Sequence, residues 1–265
     1  AAPTRASGIV ASIIGPHEYD LPVDFQPFNV VVQYVQWNDD SRYLDSHGDK
    51  VAGPGTQTLV GVTKYARFFT WDALPKVGMA MVAFLPEIRM WGSGIGVAGL
   101  GDPVIGPSAW VKPTPNTTIG LATAVSIPIG DVSNEHWANL TGLFFDARFG
   151  DFGLTGEAGG VFRGDQSAGL PARTERGTSW HLNLRLSHRL TPAIEPYLAA
   201  DAQATETDRR AGIGLGNDSG EVTMGAGLMW TLTPAAHVSL RWDQTVAGHD
   251  AIRTDGATAR LAVSW

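Results

Sequence analysis

Cysteine is absent from all 265 residues, which removes disulfides, thiolate metal sites and cysteine nucleophiles together. No stretch approaches the roughly 20 apolar residues of a membrane-spanning helix, so a helical membrane bundle is excluded. Charge is scarce: Asp, Glu, Lys and Arg make up 17% of the chain, against about 25% in typical domains. The net charge of −7 leaves no basic footprint for nucleic acid. No segment carries a helical period, a heptad array or a solenoid repeat. No P-loop, dinucleotide fingerprint, HExxH or GxSxG occurs, and nothing calls for a cofactor or a metal. Glycine and tryptophan are abundant instead, at 32 and nine residues, which suits short strands, tight turns and interfacial aromatic girdles.

What the chain has is alternation. At its end Ala259, Leu261, Val263 and Trp265 alternate with Thr258, Arg260, Ala262 and Ser264. A period of two marks a strand whose two faces meet different surroundings. Ser179 to Leu190 repeats it most clearly, with Trp180, Leu182, Leu184 and Leu186 against His181, Asn183, Arg185, Ser187 and Arg189. Val238, Leu240 and Trp242 stand against Ser239, Arg241, Asp243 and Thr245 in the same way. The period by itself does not distinguish a soluble sandwich from a membrane barrel.

Connector lengths do. Short links at 71–76, 112–116, 149–152, 190–196 and 230–237 alternate with longer stretches at 38–55, 91–100, 128–138, 164–178, 208–220 and 247–257. Outer-membrane barrels alternate in this way because periplasmic turns are tight and extracellular loops are long. The expectation is an all-β fold: a 12-stranded antiparallel transmembrane β-barrel spanning residues 29–265, its strands near 29–37, 56–69, 78–90, 101–111, 117–127, 139–149, 152–163, 179–190, 197–207, 221–231, 237–246 and 257–265. Residues 1–28, with Pro3, Pro16, Pro22 and Pro27, form a separate segment at or in the periplasmic mouth. The start Ala1-Ala2-Pro3-Thr4 reads as a mature chain after signal-peptide removal.

Lumen-facing positions of an aqueous barrel are polar. Asp146, Arg148, Glu157, Arg163, His181, Arg185, Arg241 and Asp243 alternate with apolar residues and are assigned to the lumen, because Arg or Lys on the lipid side costs roughly 2–4 kcal/mol at mid-bilayer. The same reasoning turns Glu87 and Arg89 inward, and parity carries Met79, Met81 and Leu85 with them. Phe144 and Met229 also fall inside. The predicted lumen is part charged and part apolar; its apolar groups either pack against the N-terminal segment or a loop, or form a greasy solute path. Pro86, Pro103 and Pro107 fall within strands, where a missing N–H breaks the ladder. That break is either a harmless kink or a gap through which a solute leaves sideways into lipid.

Two constellations have residue types that could carry chemistry. His237-Val238-Ser239 has the His-x-Ser spacing of the outer-membrane phospholipase, but Leu240-Arg241 follows where that family has Asn-Gly, and parity points the pair inward. The acids of 38–49, Asp39, Asp40, Asp45 and Asp49, offer oxygen donors of the kind calcium takes, although such a run is more often a solvated loop. The chain is read as a non-enzyme.

Several segments are similar to one family. Asp20-Leu21-Pro22, Asn29, Tyr34 and the run Tyr43-Leu44-Asp45 with Gly48, Lys50 and Val51 resemble the N-terminal signature of the outer-membrane channel family of phenol meta-pathway degradation clusters. Gly99-Leu100-Gly101-Asp102-Pro103 with Pro107 and Trp110 resembles its internal GxGD segment, and Ile127 to Asp131 with Asn134 to Leu140 resembles the stretch that follows. The resemblance implies a twelve-stranded channel for hydrophobic or aromatic compounds. The combined expectation is a monomeric barrel in bacterial outer-membrane lipid that passes small hydrophobic or aromatic solutes passively. Its rivals are a barrel-embedded lipid hydrolase and a structural or adhesive barrel with a plugged interior.

Overall fold

A computed structural model of the chain describes residues 14–166 and 173–265. Twelve strands close into an antiparallel barrel. They are β1 (Phe28–Asp39), β2 (Gln57–Thr70), β3 (Gly78–Gly92), β4 (Ile95–Leu100 and Val104–Thr114), β5 (Thr117–Ser126), β6 (Ala138–Phe149), β7 (Phe152–Arg163), β8 (Ser179–His188), β9 (Ile194–Thr205), β10 (Ser219–Thr233), β11 (Ala236–His249) and β12 (Asp255–Ser264). Each strand pairs with its sequence neighbour, and β1 pairs with β12 from Val30↔Ser264 to Asn38↔Gly256. Reciprocal bonds between Asn29 and Trp265, at 2.9 and 3.1 Å, finish the seam. The seam closes the wall, which is what a sheet needs in lipid, where unpaired backbone groups find no water.

The predicted alternation orders the barrel wall. Leu143, Leu182, Leu198, Leu240 and Leu261 point outward and are exposed, forming the apolar belt. Trp37 and Trp242 meet on the outer face with ring centroids 6.3 Å apart, at the long-loop end. Tight links at the other end, such as Gly150-Asp151 and Pro234-Ala235, mark the periplasmic side.

Three sequence expectations need correction. Residues 91–100 are not a long loop: β3 turns at Ser93-Gly94 (φ 49° and 78°) directly into the first half of β4. Two consecutive left-handed residues give the tight hairpin whose twist matches the strands it joins. Residues 247–257 likewise hold little free loop, because β11 runs to His249 and Ala251–Ile252 pairs with Tyr43 and Leu44.

The third correction concerns β3. Its inward face is Ala80, Val82 and Phe84, which pack into the interior apolar clusters. Met79, Met81, Leu85, Glu87 and Arg89 therefore point outward, Met81 and Leu85 openly so. The lipid-side penalty that turned Glu87 and Arg89 inward is depth-dependent and falls to about 0–1 kcal/mol near the interface. Arg89 lies at that level, register-paired through Leu59 with Trp37 and with its guanidinium 5.6 Å over the Trp91 ring. Glu87 sits beside Gly61, where no side chain competes for the space.

A Leu143→Arg change on the outer belt is expected to destabilise the barrel by about 2–4 kcal/mol, measured by urea titration in lipid vesicles. The same change at exposed loop residue Leu215 should stay within about 0.5 kcal/mol.

Candidate functional site

The interior divides into two sectors. Inward residues of β8–β11 are polar and buried: Asn183, Arg185, Asp201, Glu221, Thr223, Arg241, Asp243 and Thr245. Arg185 grips Asp201 with two guanidinium nitrogens at 2.7 and 3.2 Å, and Arg241 donates to Asp243 at 2.7 Å while lying 3.6 Å from Asp201. Four charges thus alternate in sign across three strands, since isolated charge at this depth would be costly. The facing sector, built by β12 and β1–β6, holds two apolar clusters among polar groups such as Lys64 and Asp146. Ala66, Phe68, Ala80, Trp110 and Phe144 form one cluster, and Val32, Tyr34, Val62 and Ala262 another, with Phe84 and Val82 alongside.

Between the sectors runs the described part of the N-terminal segment. Its apolar residues Tyr19, Leu21, Val23 and Phe25 pack on the Phe68–Trp110–Phe144 cluster. Tyr19 stacks on Phe144 at 4.4 Å, and the Trp110 indole donates to the Pro22 carbonyl at 2.7 Å. Its charged residues reach the wall in three directions. His17 lies against Glu195 (2.5 Å) and Asp146 (3.5 Å). Glu18 takes Lys64 and Arg260 at 2.8 and 2.7 Å and the Tyr34 hydroxyl at 2.6 Å. Asp20 holds Lys112 and Arg148 at 2.8 and 3.0 Å.

Electrostatics follows this geometry. Burial alone would raise the Glu18 carboxyl, but Arg260 and Lys64 outweigh it and hold the group well below the usual carboxylate range. Burial would lower the His17 imidazole, yet its hydrogen bonds and charge interactions with Asp146 and Glu195 raise it above its ordinary value. Burial and the adjacent Glu157 carboxylate push the Tyr19 hydroxyl up. His17, Asp20 and Asp146 bring ligand atoms within 4.8 Å of one another. Lys112 and Arg148 already neutralise Asp20, making this an ion-pair hub. The loop acids do not converge: Asp40 accepts from Thr56 and Thr58, and Asp45 accepts the N–H groups of His47 and Asp49.

Most predicted lumenal residues face inward, namely Phe144, Asp146, Arg148, Glu157, Arg163, His181, Arg185, Met229, Arg241 and Asp243. Glu157 links the Tyr19 hydroxyl to His181, 3.5 Å away, and Arg163 donates to Gly177 and Ser179. Met229 is buried and lines a cavity beside the N-terminal segment. His237 and Ser239 do not form a nucleophile–base pair: His237 contacts Thr231 at 3.3 Å, and Ser239 bonds the Tyr197 hydroxyl. Sequence reasoning missed His17, Glu18 and Asp20. Their signal was a charged run, His17-Glu18-Tyr19-Asp20, framed by Pro16 and Pro22.

The wall itself is uneven. β2 and β3 pair without interruption. The β3–β4 ladder thins to one bond, Gly101 N–H to Pro86 at 2.9 Å, where Leu85 and Pro86 face Gly101–Pro103, and the β4–β5 ladder skips Gly106 and Pro107 without a change of register. All three prolines thus sit at these weak points. Beyond Val104 the outer half of β4 has no strand on its far side, because β5 ends at Ser126. Residues 127–134 lie there instead: Val132 N–H donates to Leu100, and the buried Asp102 carboxylate accepts from Gly130 (3.1 Å) and Asn134 (2.8 Å) N–H groups.

A closed barrel with an apolar outer belt and a charged interior defines a bacterial outer-membrane β-barrel. The family described as "Putative MetA-pathway of phenol degradation" matches residues 41–261. The chain belongs to that family. Among solved structures, it is similar to the COG4313 outer membrane channel from Pseudomonas putida F1, at a TM-score of 0.82 and 14% identity over 95% of this chain and 100% of that one. Fold likeness extends to the β domain of the Bordetella autotransporter BrkA, with TM-score 0.56 and 12% identity over 91% and 100% of the two chains. The translocator domain of NalP from Neisseria meningitidis follows, with TM-score 0.54 and 10% identity over 91% and 88%. Comparison with curated protein sequences found no match.

Glu18→Gln leaves Lys64 and Arg260 buried without their carboxylate and is expected to destabilise the barrel by about 3–5 kcal/mol. Adding Arg260→Met should recover part of that loss in the same denaturation experiment. Because the Glu18 carboxyl lies below its unfolded value, its contribution is present at neutral pH and lost only as pH falls through the acid range.

Proposed function

We propose that the barrel is a channel for passive uptake of small hydrophobic or aromatic molecules, and that these leave the lumen sideways at the uneven wall. One observation carries this reading. The apolar interior sector, with Val62, Val82 and Phe84 inward, is built by the same strands whose ladders thin or skip at Pro86, Pro103 and Pro107. A solute that prefers the apolar sector is thereby brought beside the interruptions. The polar sector offers it nothing, since its charges are satisfied by one another. Phe84 belongs to this path on the inward face of β3, whereas the outward Met81 and Leu85 belong to the lipid side of the same wall. The family description, which concerns phenol degradation, is in keeping with an aromatic solute.

Proteoliposomes carrying the protein should take up a monoaromatic hydrocarbon well above protein-free vesicles, and a neutral sugar of similar size much less. Phe84→Glu, which places a charge in the apolar sector, should cut aromatic uptake about tenfold, the factor that 1.4 kcal/mol represents. Equal uptake by Phe84→Glu and the unmodified protein would overturn the proposed path. Lipid hydrolysis requires a base at Ser239, and Ser239→Ala is expected to change no activity.

A further inference from the structure

The described N-terminal segment is held in two different ways. Residues Leu21–Phe25 are anchored by apolar packing on Phe28, Phe68 and Trp110. The arm before them, residues 14–20, is held mainly by charge and hydrogen bonds. His17 is its most constrained member. Its imidazole is wedged among β6, β7, β8 and β9, touching Asp146, Glu195 and Ser187, while its backbone N–H donates to Thr155. Gly153 is required beneath it, because a Cβ there would fall 2.2 Å from the ring. The His17 backbone is left-handed, at φ 55°, a conformation that costs free energy unless its surroundings enforce it.

The ring's two nitrogens face two carboxylates, Asp146 at Nδ1 and Glu195 at Nε2. A neutral imidazole has one donor and one acceptor, whereas the imidazolium has two donors. Carboxylates only accept, so the protonated ring bonds both, whereas a neutral ring keeps Asp146 and exchanges Glu195 for the Ser187 hydroxyl, 3.2 Å from Nε2.

We propose that His17 is a proton-operated peg: charged, it locks residues 14–17 at the periplasmic mouth, and neutral, it loosens them while Glu18, Tyr19 and Asp20 keep the rest of the arm docked. A cavity of about 360 Å³ already lies between the arm and the far wall, lined by Pro16, His17, Glu195, Met229, His237 and Arg260. Loosening of Pro16 and His17 enlarges that passage. The charged groups around the peg are Asp146 and Arg148 from β6, Glu195 from β9, His237 from β11, Arg260 from β12, Arg189 just after β8, and the arm's own Glu18 and Asp20. β7 presents only Gly153 and Thr155.

The sign follows from linkage. The docked imidazole lies above its free value, so docking is favoured below about pH 6.5 and weakens as pH rises through the raised value. Residues 14–17 are held in acid and loosened in alkali. This device is independent of which solute the barrel passes.

The chain has no cysteine, so Ile14→Cys supplies a single buried thiol on the arm. Its maleimide labelling in intact proteoliposomes, corrected with the exposed turn variant Ser93→Cys, should rise at least tenfold between pH 6 and pH 9. Added His17→Gln should label fast at both pH values, and added His17→Lys, which keeps its charge, slowly at both. Conductance of the cysteine-free protein in a planar bilayer should rise over the same pH interval. Labelling and conductance that ignore pH would overturn the proposal. So would a pH response that survives His17→Gln and disappears with His237→Gln.

Discussion

Lipid offers the backbone no hydrogen-bonding partner, and every other property of this molecule depends on that constraint. It forces the sheet to close, and closure forces each strand to present one face to lipid and one to the interior. Once the faces are assigned, charge has only two economical places: inside, among counter-charges, or outside, within reach of the interface. Arg185, Asp201, Arg241 and Asp243 take the first course, and Arg89 takes the second.

Closure also creates an interior that must be filled or left as a passage. Here it is divided. The β8–β11 side is filled by its own side chains, so completely that Arg185 is inaccessible. The side built by β12 and β1–β6 carries small and aromatic apolar groups and receives the N-terminal segment. Its described part crosses the barrel on three charged residues, His17 reaching one side, Glu18 the opposite side and Asp20 the gap between β4 and β6. A buried ion pair adds little net stability over apolar packing, but breaking one is costly. Such contacts therefore fix where the segment lies more than they strengthen the barrel.

Much of this was legible in the chain because the period-2 pattern ties neighbouring residues together. Once Arg185 and Arg241 are inside, Leu184 and Trp242 must be outside, and Trp265 at the end of β12 has one natural partner strand. The failure on β3 shows the limit of the same logic. Glu87 and Arg89 were oriented by a penalty whose size depends on depth, and depth is set by neighbouring strands that the local pattern does not contain. Ala80, Val82 and Phe84 carried the better signal, a row of small and aromatic groups facing a common core. The seats of His17, Glu18 and Asp20 were hidden for a different reason: each depends on residues more than a hundred positions away, or on opposite strands, that only the closed barrel brings together.

The replacement of a strand by residues 127–134 beside the outer half of β4 has a consequence for how the barrel breathes. Elsewhere the wall resists opening cooperatively, because each strand is zipped on both sides. The hairpin tip from Glu87 to Leu100 is zipped to β2 on one side only, and on the other it is fastened by Asp102, Asp131 and a few backbone bonds. Local opening there costs less than unfolding the rest. Amide protons of Ile95 to Leu100 should therefore exchange by a local route, through fluctuations the rest of the wall does not share.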